Sequence, residues 1–175
     1  VAIHIGNAYT GDAEIASWLR NKDFRHALSL GIDRDQLNEA FWLGVGVSGS
    51  VAPSPETIYG PGVEWNQKYA QHDPDQANQL LDGAGLTEKD SEGFRLRTDN
   101  GQRLRFEMVT VGGQFVPYTQ VGEMIKQQWV DIGIDVDVME LERNLAFGKD
   151  ANDENQMLTW ANDGSEMLYL FARHA

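Results

Sequence analysis

The chain has no cysteine, which excludes disulfides, thiolate metal sites and a cysteine nucleophile. It is short of positive charge: 14 Lys and Arg stand against 27 Asp and Glu, a formal net charge of -13. Nucleic-acid recognition rests on Lys and Arg contacts to phosphate, so this balance argues against it, and it argues equally against anionic membranes. No apolar run is long enough to span a bilayer. Like-charge blocks are absent, so the acidity belongs to a solvated surface rather than a tail. No signal peptide is visible. Val1 opens directly into VAIHIG, and without an initiator Met the chain reads as an excised fragment or a processed product. Catalytic signatures are missing too. His4, His26, His72 and His174 are not spaced to share a zinc ion, and there is no HExxH helix. VSGS at 47–50 does not fit a nucleophile elbow. GVGVSG lacks the lysine of a phosphate loop and the spacing of a dinucleotide fingerprint. DSEG at 90–93 lacks the rest of a calcium ligand ladder and reads as a polar turn.

What is present is an ordinary globular composition. Hydrophobic residues make up 41% of the 175 residues and charged residues 23%, enough for one domain with a real core. VAIHIG reads as a strand and residues 11–20 as a helical turn around Ile15, Trp18 and Leu19. The stretch DFRHALSLGIDR, Asp23 to Arg34, reads as one helix stopping and another starting. Asp23 is placed to cap the first, with Phe24, Ala27 and Leu28 on one face. Asp33 is placed to cap the second, with Gln36 at the reciprocal capping-box position. Gly44 is a plausible stop, and residues 44–65, rich in Gly, Pro and Ser, predict a long ordered loop. Asp73-Pro74-Asp75-Gln76 is a helix start with Asp73 as N-cap, and Ala77, Leu80, Leu81 and Ala84 form its buried face up to Gly85. Leu104, Phe106 and Met108 alternate along a strand. Val121, Met124, Ile125, Trp129 and Ile132 make a helical stripe, and Ile134, Val136 and Val138 alternate again. Strand, helix and strand predict a βαβ unit over 104–141 with parallel strands, hence an α/β fold. A short helix at 142–150 and a strand at 156–160 follow.

Two groups of residues are candidates for chemistry. Asp135 and Asp137 lie two apart on a strand, so they share a face; a carboxylate pair suits metal binding or acid–base work, as in a carboxylate hydrolase. Alternation alone also puts two polar residues there, and a half-exposed strand face is the stronger reading. Trp160 ends a strand and is followed by Ala-Asn-Asp. Ligands of open α/β folds gather beyond the carboxyl ends of strands. There an aromatic plate, with the Asp163 carboxylate three residues on, suits a cationic or sugar ligand. Trp129 fits the core stripe and is read as structural.

The wording of several segments resembles the bacterial extracellular solute-binding proteins of family 5, the peptide- and oligopeptide-binding group of ABC importers. The resemblance rests on Arg25, Ala27, Leu28 and Ile32-Asp33-Arg34; on Leu43-Gly44 and the loop after it; and on Tyr69, Asp73-Pro74, Ala77, Leu80-Leu81 and Ala84-Gly85. It also includes Gln127-Gln128-Trp129 with Ile132-Gly133-Ile134-Asp135-Val136. These motifs fall in the family's order across residues 20–165. The resemblance implies that residues 1–175 form a single domain, most of the C-terminal lobe of a two-lobed protein with a type II periplasmic-binding-protein fold. It implies capture of a peptide, or an oligosaccharide, in the cleft between lobes. The solute would then pass to an ABC permease outside the cytoplasm, in the periplasm or at the cell surface, with a lipid anchor as one means of attachment. No reaction, cofactor or metal is implied. Trp160-Ala161-Asn162-Asp163 is similar to the family's W-x-G-D motif, whose Asp pairs with a peptide's α-amino group, so Trp160 and Asp163 are the expected ligand contacts. Asn162 stands where the family has Gly, and Ser165-Glu166 where Asp-Pro is common. Arg25 and Arg34 are read as holding local structure.

Overall fold

A computed structural model describes residues 1–53 and 56–161. It is built on one sheet of four strands: β1 (Ala2–Ile5), β2 (Arg105–Val111), β3 (Asp135–Leu141) and β4 (Met157–Trp160). Their spatial order is β1-β4-β2-β3. β2 pairs in parallel with β3 and with β4, while β1 lies antiparallel to β4. Among the described residues there are seven α-helices: α1 (Ala13–Arg20), α2 (Lys22–Leu30), α3 (Arg34–Trp42), α4 (Val63–Gln67), α5 (Pro74–Ala84), α6 (Tyr118–Trp129) and α7 (Arg143–Ala151). The strand β2, helix α6 and strand β3 form the βαβ unit that the sequence predicts.

The alternation of β2 sorts its side chains onto two faces. Phe106 and Met108 enter the larger core with Phe24, Leu81, Val121, Ile125 and Trp129 from the helices. Val109 and Val111 turn the other way, into a smaller cluster with Ala146 of α7 and Leu158 of β4. Burying both faces is what a parallel sheet requires. The rings of Phe24 and Phe106 lie 5.1 Å apart, locking α2 onto the sheet. Trp129 is buried, and its indole N–H donates to the Leu28 carbonyl at 3.0 Å, tying α6 to α2.

Local chemistry explains most helix ends, with two differences from expectation. Asp33 caps α3 by accepting from the Gln36 amide at 2.9 Å, and Asp73 caps α5 in the same way with Pro74 at the first position. The cap of α2, however, is Asn21 rather than Asp23: its side-chain oxygen accepts from Asp23 N at 2.9 Å and Phe24 N at 3.1 Å. Asn21 lies just outside the apolar pattern, and Asp23 serves the first turn electrostatically. The reciprocal half of the α3 capping box comes from another helix. The Asp33 amide donates to Gln128 Oε1 at 3.1 Å, while Gln36 Oε1 accepts from Gln128 Nε2 at 2.7 Å.

The polar segment between α5 and β2 makes only isolated bridges, Lys89 with Arg95 and Leu96 with Arg103. It is organised by Arg95, whose side chain is fully buried. Arg95 donates to the carbonyls of Ile132 and Leu86, to Asn78 Oδ1 at 2.6 Å and to Asp82 Oδ1 at 2.6 Å. Gly133 closes the turn beneath it at φ 74°, and a Cβ there would meet the Gly93 carbonyl at 2.8 Å, so only glycine fits. Among the described residues no helix is long and apolar enough to cross a membrane.

Candidate ligand-binding wall at the strand ends

The parallel strands β2, β3 and β4 end at one edge of the sheet, with Val111 opposite Leu141 and Thr110 opposite Thr159. Trp160 is the last residue of β4. It is half-buried and belongs to the smaller apolar cluster. Two rings brace it. Tyr118, at the start of α6, lies 5.2 Å away at 32°, and Phe147 of α7 meets it edge-on at 5.0 Å and 88°. Both helices are positioned for this by the sheet: α6 follows the loop that leaves β2, and α7 begins directly after β3. Burial pushes the Tyr118 phenol up from its ordinary value, so it stays neutral.

A guanidinium completes the wall. Arg143 stands 5.4 Å from the Trp160 ring and 5.7 Å from the Phe147 ring, in cation–π geometry with both. Arg143 and Phe147 are four residues apart on α7, the spacing that places side chains together on one helix face. That spacing is the signal in the sequence that points to them; nothing local points to Tyr118. Phe115, in the loop between β2 and α6, is fully exposed. The same edge carries a hydroxyl relay in which Thr119 Oγ1 donates to Glu140 and lies 2.9 Å from Thr110 Oγ1. The arrangement offers aromatic surface, one cation and hydroxyl groups, which suits holding a solute by stacking and hydrogen bonds.

The two sequence-derived candidates fare differently. Asp163, the expected carboxylate beside Trp160, lies outside the described residues. Asp135 is buried and bound by Arg105 Nε at 2.8 Å with Arg103 at 3.7 Å, an ion pair across the β2–β3 ladder. Asp137 is exposed. The two carboxylates therefore hold a structural pair and a solvated position, not a shared catalytic centre. No group of three or more His, Asp or Glu among the described residues could hold a metal. The DSEG turn is closed by Asp90, which accepts from the amides of Glu92 at 2.9 Å and Phe94 at 3.0 Å.

Solved structures share this architecture. An oligopeptide-binding protein, OppA, is 31% identical over 97% of this chain and 26% of its own, with a TM-score of 0.86. The oligopeptide-binding protein of Thermus thermophilus, solved with a pentapeptide, is 23% identical over 90% of this chain and 27% of its own, at a TM-score of 0.71. The periplasmic binding protein MelB of Agrobacterium fabrum, solved with stachyose, is 18% identical over 89% and 24%, at 0.68. The chain thus spans about a quarter of the length of these solved relatives. No curated protein matches it in sequence. Residues 7–170 match the family described as "Bacterial extracellular solute-binding proteins, family 5 Middle". The wording of its helix starts, its α/β lobe and that match agree: the chain belongs to the bacterial extracellular solute-binding proteins of family 5.

Proposed function

We propose that residues 1–175 are one domain, most of the C-terminal lobe of a solute-binding protein that delivers peptides to an ABC importer outside the cytoplasm. The observation that carries this is the aromatic wall of Trp160, Tyr118 and Phe147 at the carboxyl ends of parallel strands. The 31% identity to an oligopeptide-binding protein supports peptide as the ligand class. In this reading Trp160 lines the cleft between the lobes, Asp163 pairs with the peptide's α-amino group, and the remaining lobe of the full-length protein supplies the opposite wall. Ligand stabilises the closed form by binding it better than the open one, and the permease reads the closed form. An oligosaccharide is the second reading, favoured by the same rings, since a flat indole stacks on a sugar face as well as on a peptide.

The test is calorimetry on the full-length protein with Trp160→Ala and Asp163→Ala, titrating a pentapeptide and a tetrasaccharide in separate arms. Each variant is expected to weaken the peptide by about tenfold or more, about 1.4 kcal/mol. Unchanged peptide affinity in both variants would remove the site assignment. Binding of the tetrasaccharide alone would replace peptide by sugar.

A further inference from the structure

We infer that the cavity on the opposite side of the lobe from α7, between α2, β1 and the 46–53 loop, binds an anionic amphiphile: a carboxylate carried on an apolar chain. The cavity has a volume of about 1050 Å³, at the upper end of what small-molecule sites reach. Its floor is apolar, made by Ile3, Leu28, Ile32, Trp42, Val121 and Trp129. Its charged lining is of one sign. Among the described residues, Lys22, Arg25, Arg34 and Lys68 reach it and no Asp or Glu does.

Among the described residues none of the four cations is paired with a carboxylate. Among the described residues every ion pair involves His72, Arg95, Arg97, Arg103 or Arg105. Arg25 donates to the Leu19 carbonyl at 2.9 Å. Arg34 donates to the carbonyls of Ser29 at 2.8 Å and Ala70 at 3.1 Å. Carbonyls hold a guanidinium in place without cancelling its charge. Lys68 Nζ stands 4.4 Å from the Trp65 ring, and among the described residues it forms no ion pair. The mouth is also built rather than incidental. Tyr69 adopts a left-handed backbone, φ 57°, uncommon for a residue with a side chain. That bend is pinned by Ser29 Oγ, which donates to the Tyr69 carbonyl at 2.7 Å and is itself held by Arg34 at 2.8 Å. It brings the Tyr69 ring flat onto His26, centroids 3.7 Å apart at 15°. An anion at this mouth would meet unpaired cations while its chain lies on the apolar floor, and a cationic or neutral apolar ligand would gain only the floor.

Trp160 does not line this cavity, whereas Trp42, Trp65 and Trp129 do. The inference therefore stands apart from the peptide reading, and one experiment separates them. The probe is ω-bromododecanoate, whose bromine quenches an indole it touches, titrated into the full-length protein. Saturable quenching is expected, with the neutral methyl ester weaker by about tenfold. The double reversal Lys22→Glu/Lys68→Glu is expected to shift the midpoint by about tenfold or more, with an unchanged melting temperature as the check on folding. Trp160→Ala is expected to leave quenching in place. No saturable quenching, equal quenching by the ester, or indifference to the charge reversal overturns the inference. Quenching abolished by Trp160→Ala overturns it as well, because the amphiphile then sits at the strand ends.

Discussion

Gln128 stitches α6 to the start of α3 with three hydrogen bonds, accepting from Asp33 N at 3.1 Å and donating to Asp33 O at 3.2 Å and Gln36 Oε1 at 2.7 Å. An isosteric apolar replacement strands those groups in a half-buried place, so Gln128→Met is expected to cost about 1–3 kcal/mol in urea unfolding. A loss inside experimental error would mean that water serves the cap equally well. His26 works through its protonation. Burial first, then the charge of Lys22, holds its imidazole below the ordinary value of 6.5; Arg25 and Lys68 push the same way and Asp23 opposes them. The unfolded chain therefore takes up the proton at a pH where the folded chain stays neutral. The stability that neutral His26 contributes is complete above about pH 6.5 and is lost as the pH falls through the lower folded value. His26→Phe keeps a ring against Tyr69 and removes the titration. Between about pH 7.5 and about pH 5 the parent is expected to lose more stability than the variant. Equal slopes would assign the pH dependence elsewhere.

Helix boundaries decide how the elements dock, and Asp12 shows how. Its carboxylate accepts from Ile15 N at 3.0 Å, capping α1, and also receives the Arg97 guanidinium at 2.8 and 3.1 Å. One side chain thus fixes α1 to the turn-rich segment before β2. The Arg97 hydrogen bond, then the Ile15 amide, hold the Asp12 carboxyl below its ordinary 3.8. A carboxyl depressed in the fold contributes stability above about pH 3.8 that disappears as pH falls through the folded value. Asp12→Asn keeps the cap acceptor but not the charge, and Asp12→Ala loses both, so Ala is expected to be the less stable by about 1 kcal/mol at neutral pH. As the pH falls from about 4 through the lower folded value, the gap between the parent and Asp12→Asn should close in chemical unfolding, and a gap that stays constant over that descent would refute the ion-pair account. Elements of this kind are legible in sequence when the signal is local. Asp73-Pro74 and Asp33 announce their helices, and the alternations in β2 and β3 announce the βαβ unit, because capping and pleating act over a few residues. The strand order β1-β4-β2-β3 is not legible, since β1 and β4 pair across most of the chain. Nor is the burial of Arg95, a lone arginine in a polar stretch whose partners come from α5 and the turn that follows α6. At the strand ends, Trp160 was readable as a plate, but Tyr118, Phe147 and Arg143 were brought to it by tertiary packing.

At the scale of the molecule, a single sheet separates two functions of packing. One face carries the large core that makes the lobe stable, and the other carries a small cluster whose aromatic end opens at the strand edge. In the proposed reading such a wall contacts a solute from one side only. Binding energy per solute depends on the area removed from water and on the ordering cost, and the ordering cost is met whether one wall or two are present. With the opposite wall absent, the contacts fall by about half while the entropic penalty stays, so affinity collapses rather than halves. The lobe alone is therefore expected to bind a pentapeptide at least about 100-fold more weakly than the full-length protein. It should nevertheless unfold cooperatively, since the described residues bury a contiguous core of helices on the sheet. Parallel calorimetric titrations of the two proteins measure the ratio, and a thermal melt of the lobe shows that weak binding is not loss of fold. Equal affinities would mean that Trp160 and its neighbours form a whole site by themselves, and closure onto a second lobe would then serve recognition by the permease rather than capture.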